Sequence, residues 1–296
     1  MDISIFGFDR SLDAIRANVS RTDREGFSGY WVPNGRSCDA LTALAVAGAG
    51  AGIQLGTAVV PVHPRHPAAL AQQALTANLA LGGRLALGVG VAHRFSVEGT
   101  WGLSFERPVA YLAEYLDALL PLLSERRASV TGERVTMNGE LALDAPPCPV
   151  FVAALGPRML ELAGRLTSGT ITWMVGVKTI RELTAPVINE AAAAAGRRAP
   201  EVVAGLPVCV TDDEPRARAQ AAHSLRMYGD LPSYRTMLDR EGLDGPGDVC
   251  VMGTEEQVAE QLGGYFQAGA TSVAAAPTGN PDEVERTRAC LASLLT

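Results

Sequence analysis

One histidine of this sequence lies where a proton could pass to or from a bound ligand. His93 follows an apolar run that ends in Gly88-Val89-Gly90. Histidine titrates near neutral pH and can act as an acid or a base. If the apolar run is a buried parallel strand, His93 lies just past its carboxyl end, where such enzymes place their active sites. Loop packing is the alternative explanation for His93.

Gly88 and Gly90 could admit a flat ligand. They resemble part of a dinucleotide phosphate loop, but no third glycine follows and no acidic residue lies at the usual distance. Because glycine has no Cβ, it lets a ring system approach the backbone closely. We therefore expect a ring near Gly88 and Gly90. The alternative is that both glycines only ease the turn out of the strand.

A third candidate is the start of a helix. The run Phe151–Arg158 is a buried strand, a turn of small residues and a helix that begins with proline. Free N–H groups at a helix start bind phosphate well, although any β–α unit offers them. The residues expected to contact a ligand here are Ala153, Ala154, Leu155, Gly156 and Pro157.

Other kinds of site find little support. His63 and His66 lie in a proline-rich loop with no third ligand in view, which favours structural roles over a metal site. No Gly-x-Ser-x-Gly and no Gly-Lys-Ser/Thr occurs, so hydrolase and P-loop chemistry are not indicated. The five cysteines are scattered, which argues against disulfides or zinc.

Composition limits the partners. The chain has 296 residues, 47% of them hydrophobic, and a net charge of −7 without a basic run. A nucleic acid or an anionic membrane is thus an unlikely partner class, and a small-molecule substrate is expected. The first residues show no charged leader before an apolar run, and no apolar segment reaches the ~18 residues of a membrane span. These features predict a cytoplasmic protein.

Short apolar runs alternate with longer helical patterns along the whole chain. Strands are predicted at Ile3–Phe6, Gly29–Val32, Ile53–Val59, Leu85–Val89, Val150–Ala154, Thr170–Met174, Val202–Val210 and Ser272–Ala275. Helices are predicted at Leu12–Glu25, Asp39–Gly48, Pro67–Leu81, Pro108–Leu123, Pro157–Leu166, Thr179–Ala195, Pro215–Met227, Glu255–Ala268 and Asp282–Leu295.

Eight strand–helix pairs in this length predict an α/β fold, a (β/α)8 TIM barrel, formed as one domain over residues 1–296. A doubly wound open sheet is the alternative, but the first turn carries no glycine fingerprint. Insertions are expected at about 94–107, 129–143 and 228–249, over the carboxyl-terminal mouth. The second alternates like a hairpin with a turn near Asn138-Gly139.

Motifs along almost the full chain resemble the bacterial-luciferase-like superfamily, in particular its actinobacterial oxidoreductases that use the deazaflavin coenzyme F-420 (hereafter F420). The matching text is Leu55-Gly56-Thr57-Ala58-Val59, Arg65-His66-Pro67-Ala68, Gly83-Arg84-Leu85-Ala86-Leu87-Gly88-Val89-Gly90, Glu114-Tyr115, Pro149-Val150-Phe151-Val152-Ala153-Ala154, and Ser168-Gly169-Thr170. The order of these motifs is specific, and the resemblance also implies a TIM barrel and a homodimer.

The resemblance implies roles for several residues. A non-prolyl cis peptide that backs the deazaflavin ring would join Ala58 and Val59. The run Ala153–Pro157 would contact the polar tail of the cofactor. Met174 and Gly176, after the sixth strand, are expected to line the same site.

The sequence also departs from the family pattern. Sugar-phosphate dehydrogenases of the family carry an acid and a histidine after the second strand, where this chain has Asn34 and Gly35. The acid that follows their fourth strand aligns with His93. Sugar-phosphate oxidation is therefore not expected. His93 becomes the candidate for proton transfer, and Asn34 a candidate hydrogen-bond partner of the substrate or the ring edge.

The resulting expectation is an F420-dependent oxidoreductase that moves a hydride between C5 of the deazaflavin and a small organic substrate with a C=C, C=N or carbinol group. Two alternatives remain open at this point. One is a monooxygenase of the same superfamily that uses FMN, and the other is a barrel that binds a cofactor without catalysis.

Overall fold

The computed structural model describes residues 1–295 and forms a closed barrel of parallel strands surrounded by helices. The strands of the described chain are β1 (Ile3–Phe6), β2 (Gly29–Val32), β3 (Gln54–Thr57), β4 (Val60–Pro61), β5 (Leu85–Gly90), β6 (Arg127–Thr131), β7 (Thr136–Glu140), β8 (Val150–Val152), β9 (Gly169–Trp173), β10 (Glu201–Val210), β11 (Val251–Gly253) and β12 (Ser272–Pro277).

Eight of these strands close the barrel in chain order. The ring runs β1, β2, β3, β5, β8, β9, β10 and β12, and β12 pairs in parallel with β1. This confirms the predicted (β/α)8 barrel. Strands such as β1, β2 and β5 are buried along their whole length because helices cover one face and the barrel core fills the other.

Helices follow most strands, with bounds close to those predicted. They are α1 (Leu12–Arg24), α2 (Ala40–Ala47), α3 (Pro67–Ala80), α4 (Pro108–Ser124), α5 (Pro157–Leu166), α6 (Val177–Thr179), α7 (Ala185–Ala194), α8 (Glu214–Gly229), α9 (Pro232–Glu241), α10 (Glu255–Gln267) and α11 (Pro281–Ser293). None of these helices of residues 1–295 is long and apolar enough to cross a membrane.

Large side chains fill the barrel interior. Trp31 and Phe151 meet edge to face at 5.6 Å between ring centroids, and both are buried. The indole N–H of Trp31 donates to the hydroxyl of Ser4 at 3.0 Å. A Cβ on Gly56 would lie 2.1 Å from the Trp31 ring, so this glycine makes room for the indole. Because the interior is packed, a ligand must bind at an end of the barrel.

The predicted strand Ile53–Val59 is interrupted near its end. β3 stops at Thr57, and the two-residue β4 then pairs with β5. Ala58 and Val59 lie between β3 and β4, and the peptide bond that joins them is cis, as the resemblance implied.

The hairpin was predicted with its turn in the wrong place. β6 and β7 pair so that Ser129 faces Asn138, which puts Asn138-Gly139 inside a strand and the turn at residues 132–135. The carboxylate of Glu114 in α4 accepts hydrogen bonds from the backbone N–H groups of Arg134 and Val135, at 2.8 and 3.1 Å. This contact with α4 stabilises the turn. Because the hairpin follows α4, it also starts at the opposite end of the barrel from the mouth.

The third insertion is larger and more regular than predicted. After β10 the chain forms α8 and α9, then returns as β11 to pair with the last residues of β10. The insertion therefore spans residues 211–250. α8, predicted as a barrel helix, belongs to it, and α10 is the helix that packs on β10 and β12. The first insertion contains one π-helix, Phe95–Thr100.

Candidate active site at the carboxyl end of the barrel

A wall of small side chains lies at the carboxyl ends of three strands. Ala58, Val59 and Ala153 are all half-buried there. A Cβ on Gly90 would lie 2.8 Å from Cγ2 of Val59 and 3.2 Å from Cβ of Ala153. Glycine at position 90 therefore lets Val59 and Ala153 approach each other. The result is a flat apolar surface suited to one face of a ring system.

Gly88 packs tightly against the end of β3, in line with the structural alternative for this glycine. A Cβ at this position would lie 1.9 Å from the carbonyl oxygen of Thr57. The Thr57 hydroxyl accepts from the Gly88 N–H at 2.9 Å and donates to the Gly88 carbonyl at 2.8 Å. The space beside Gly88 is thus filled by the chain itself, which holds the end of β3 against β5. Gly90 is buried as well, with Val59 and Ala153 packed over its Cβ position, so these two side chains form the surface that a flat ligand would meet.

This contact predicts a sharp effect on stability. Gly88→Ala must push Thr57 away from β5, and such overpacking of a core costs about 1–3 kcal/mol. We expect the urea midpoint of unfolding to fall accordingly. Gly50→Ala is the matched control, because nothing lies within 4 Å of a Cβ there. Equal stability of the two variants would contradict the assignment.

The start of α5 is open, as a phosphate site requires. Gly156 is the N-cap residue, and no side chain caps the helix. Nothing lies within 4 Å of a Cβ placed on Gly156, and Pro157 occupies the first turn. Ala154 is buried, whereas Leu155 is half-buried. The first N–H groups of a helix without a cap carry partial positive charge and attract anions.

The first N–H groups of α6, in contrast, are already bonded to a side chain. The Glu241 carboxylate accepts from the N–H groups of Lys178 and Thr179, at 3.2 and 2.6 Å. A Cβ on Gly176 would lie 2.3 Å from Cδ of Glu241. A residue of α9 therefore occupies the position expected for a cofactor beside Gly176. Met174 is buried with a positive φ of 53°, and its N–H donates to Gly205.

His93 lies in the mouth among aromatic rings. Its imidazole stacks on Phe95 with centroids 5.6 Å apart and an angle of 11°, and Tyr234 lies 6.2 Å away. Burial lowers the pKa of His93 below its ordinary range. The imidazole is therefore neutral at pH 7, which suits a proton acceptor.

Asn34 is partly committed to structure. Its side-chain oxygen accepts from the N–H of Ala40 at 2.9 Å and so stabilises the loop that leads into α2. Only its amide N–H groups remain for a ligand. Asn34 follows β2, as the sequence predicted, and is half-buried. Its side-chain oxygen is already used by the loop.

The two loop histidines have structural surroundings, as expected. His66 receives the Ala68 N–H at Nδ1 and contacts the Thr136 carbonyl at 3.0 Å through Nε2. His63 stacks between Tyr111 and Phe105, at 4.6 and 5.8 Å. Within residues 1–295, no group of three His, Cys, Asp or Glu side chains is placed to hold a metal ion.

One cavity lies away from the mouth. A groove of about 540 Å³ lies between α4 and the hairpin. Its lining includes Pro121, Glu125 and Arg127 and none of the residues of the mouth described above. The chemical features of the chain thus concentrate at the barrel mouth, whereas this groove offers an open outer surface.

Sequence reasoning missed several aromatic residues of the mouth. Phe8 follows β1, Trp173 ends β9, and Tyr228 and Tyr234 belong to the third insertion. Phe8 and Trp173 could have been predicted as site residues, because each is an aromatic residue at the carboxyl end of a barrel strand. The two tyrosines were missed because no helix was predicted over 228–249, where the structure has the end of α8 and all of α9.

Comparisons with known proteins identify relatives of this chain. A family model described as luciferase-like monooxygenase matches residues 7–272. An F420-dependent glucose-6-phosphate dehydrogenase of Kineococcus radiotolerans is 29% identical over 284 residues, which is 91% of this chain and 82% of the relative. A 5,10-methylenetetrahydromethanopterin reductase of Methanolobus tindarius is 28% identical over 75% of this chain and 69% of the relative.

The fold has a solved counterpart. The coenzyme F420-dependent tetrahydromethanopterin reductase of Methanopyrus kandleri superposes with a TM-score of 0.82, covering 98% of this chain and 96% of that protein at 20% identity. At this level of identity the superposition supports the barrel fold.

Proposed function

The chain belongs to the luciferase-like monooxygenase family, and from this premise we propose that it is a coenzyme F420-dependent oxidoreductase. The observation that carries the proposal is the open start of α5 next to the flat wall of Val59, Gly90 and Ala153. When bound, the deazaflavin supplies hydride chemistry at C5 toward a small organic substrate with a C=C, C=N or carbinol group.

The residues at the mouth fit such a cofactor. Ala58, Val59, Gly90 and Ala153 offer an apolar surface without polar groups that would need hydration. A ring held against this surface would turn its other face toward the substrate. Positioning of this kind is the main contribution that a protein makes to cofactor chemistry.

The phosphate-bearing tail of the cofactor fits the start of α5. Ala154, Leu155, Gly156 and Pro157 form the turn, and the N-cap carries no side chain that would compete with a ligand. The exposed Arg158 follows directly and adds positive charge. In this proposal Met174 packs beneath the ring site, while Gly176 is covered by Glu241 and makes no direct contact.

His93 is the proposed proton acceptor. Its neutral imidazole can take the hydroxyl proton of a carbinol while the carbon loses its hydride. The amide of Asn34 could donate a hydrogen bond to the same oxygen, with its own oxygen held by Ala40. The neutral imidazole is the form that can accept this proton near pH 7.

The proposal is tested first by binding. Pure protein mixed with F420 at micromolar concentration should change the cofactor's fluorescence, and no change would refute the proposal. The loaded protein is then assayed with carbinols, and the reduced form with enones, imines and methylene-pterins. Preference for reduced FMN with oxygen uptake would identify a monooxygenase instead. Binding without turnover, unaffected by His93→Ala, would identify a non-catalytic barrel.

We also propose that the protein is a cytoplasmic homodimer. Support for a dimer comes from the exposed apolar side chains Val46 and Leu79 on the neighbouring helices α2 and α3. Light scattering should give twice the chain mass of 31.0 kDa. A monomer at micromolar concentration would refute the dimer.

A further inference from the structure

Aromatic side chains form a continuous series across the barrel mouth. We call them the mouth aromatics, and in spatial order they are Phe8, Trp173, Tyr228, Tyr234, His93 and Phe95. They come from the ends of β1, β5 and β9 and from the helical insertion α8–α9. The proposed function uses only His93 of this set.

The distances link the rings into one surface. Phe8 contacts Trp173 at 5.3 Å between centroids, and Tyr228 contacts Tyr234 at 4.8 Å. Tyr234 then faces His93 at 6.2 Å. These separations are those of edge-to-face and offset aromatic pairs.

Tyr228 and Trp173 join the two halves of the series. Burial raises the pKa of Tyr228, and the indole N–H of Trp173 partly offsets this effect. The contact falls short of a hydrogen bond, because Nε1 of Trp173 is buried without a partner. The indole N–H of Trp173 is therefore enclosed inside the aromatic surface, next to the Tyr228 hydroxyl.

Both ends of the series face solvent. Phe8 is 54% exposed and Phe95 is 42% exposed. Phe8 directly follows β1, and Phe95 lies in the first insertion, just after β5, so both exposed rings lie at the carboxyl end of the barrel. Exposed apolar groups that cluster at one end of a barrel indicate a binding surface.

Two arginines beside this surface are already paired. Arg94 donates to Glu98 at 2.6 Å. Arg235, next to Tyr234, donates to Asp239 and to the carbonyls of Leu243 and Asp244. Neither guanidinium is free to hold a substrate phosphate, whereas the open anion site at α5 is assigned to the cofactor.

Resting on the proposed function, we infer that the substrate is a neutral molecule whose reacting carbon carries an aromatic or other flat apolar group. The rings of the mouth aromatics cover that group. A phosphorylated sugar, the substrate named for the Kineococcus relative, meets apolar rings on this surface.

Binding calorimetry with matched ligands tests this inference. The probes are 1-(2-naphthyl)ethanol, its saturated decahydro analogue and glucose 6-phosphate, titrated into the full chain with and without F420. We expect the naphthyl alcohol to bind several-fold more tightly than the decahydro analogue and at least tenfold more tightly than glucose 6-phosphate. Phe8→Leu and Phe95→Leu should each weaken it at least threefold and leave F420 affinity unchanged.

Phe105→Leu is the matched control, since Phe105 lies in the same insertion as Phe95 but stacks on His63. An equal loss in Phe105→Leu and Phe95→Leu would overturn the inference, and so would glucose 6-phosphate binding as tightly as the naphthyl alcohol. If F420 does not bind but the naphthyl preference persists, the proposed function fails while the ligand class stands.

Discussion

Replacing Gly156 with aspartate is expected to weaken F420 binding at least tenfold while making the protein more stable. The N-cap has φ −92° and ψ 159°, which any residue can adopt, and the space around it is open. An aspartate there can accept from the N–H groups of the first turn of α5, which relative to glycine adds only a few tenths of a kcal/mol, and its negative charge near the helix start adds about 0.3–1 kcal/mol. The same carboxylate takes the place of the cofactor phosphate and repels it.

Opposite signs of the two effects make this test decisive. A general structural defect lowers both stability and affinity, whereas an occupied anion site raises the melting temperature and lowers affinity. Fluorescence titration of F420 and thermal unfolding measure the two quantities. Gly156→Asn is the matched control, because asparagine also caps the helix but carries no charge. Unchanged F420 affinity in Gly156→Asp would place the phosphate elsewhere.

The barrel was predictable because its strands are short apolar runs buried on both faces, and this pattern is local. Helix starts were predictable for the same reason: Thr254 caps α10 with Gln257 in a capping box, and proline opens α5. What the pattern could not show is which helices cover the barrel. α8 reads as an ordinary helix, and only the return of β11 to β10 reveals it as part of an insertion.

The site was predictable in part. The positions of Ala58, Val59, Gly156 and His93 at strand ends follow from chain order. The atoms that pack against each glycine do not follow from chain order. The Thr57 carbonyl faces Gly88, for example, because of how β3 and β5 approach each other.

Contacts between residues far apart in the sequence explain the remaining differences between the predictions and the structure. Glu241 covers Gly176 from 65 positions further along the chain. The favourable Asn138-Gly139 turn is overridden because Glu114 binds the backbone of residues 134 and 135 instead. Turn propensity is a local preference, and a buried or partly buried carboxylate that meets two N–H groups outweighs it.

Replacing His93 with glutamine should lower kcat for substrate oxidation by about 10²–10⁴-fold, the usual contribution of a general base. Glutamine retains hydrogen bonding but cannot accept a proton near pH 7. Because burial lowers the pKa of His93, the wild-type rate should fall only as the pH drops through a value below the ordinary range of histidine. The variant should lose this acidic limb. Steady-state rates between pH 4.5 and 8 measure both effects.

Direction of the pH dependence separates the possible roles of His93. A base must be neutral, so its activity rises with pH, whereas an acid must be protonated and its activity falls with pH. A lowered pKa leaves little protonated imidazole at pH 7, so an acid role would leave the enzyme mostly inactive there. His223→Gln, an exposed histidine on α8, should leave the profile unchanged. An acidic limb that persists in His93→Gln would assign the proton to another group, and the neutral imidazole would then serve only to pack against Phe95.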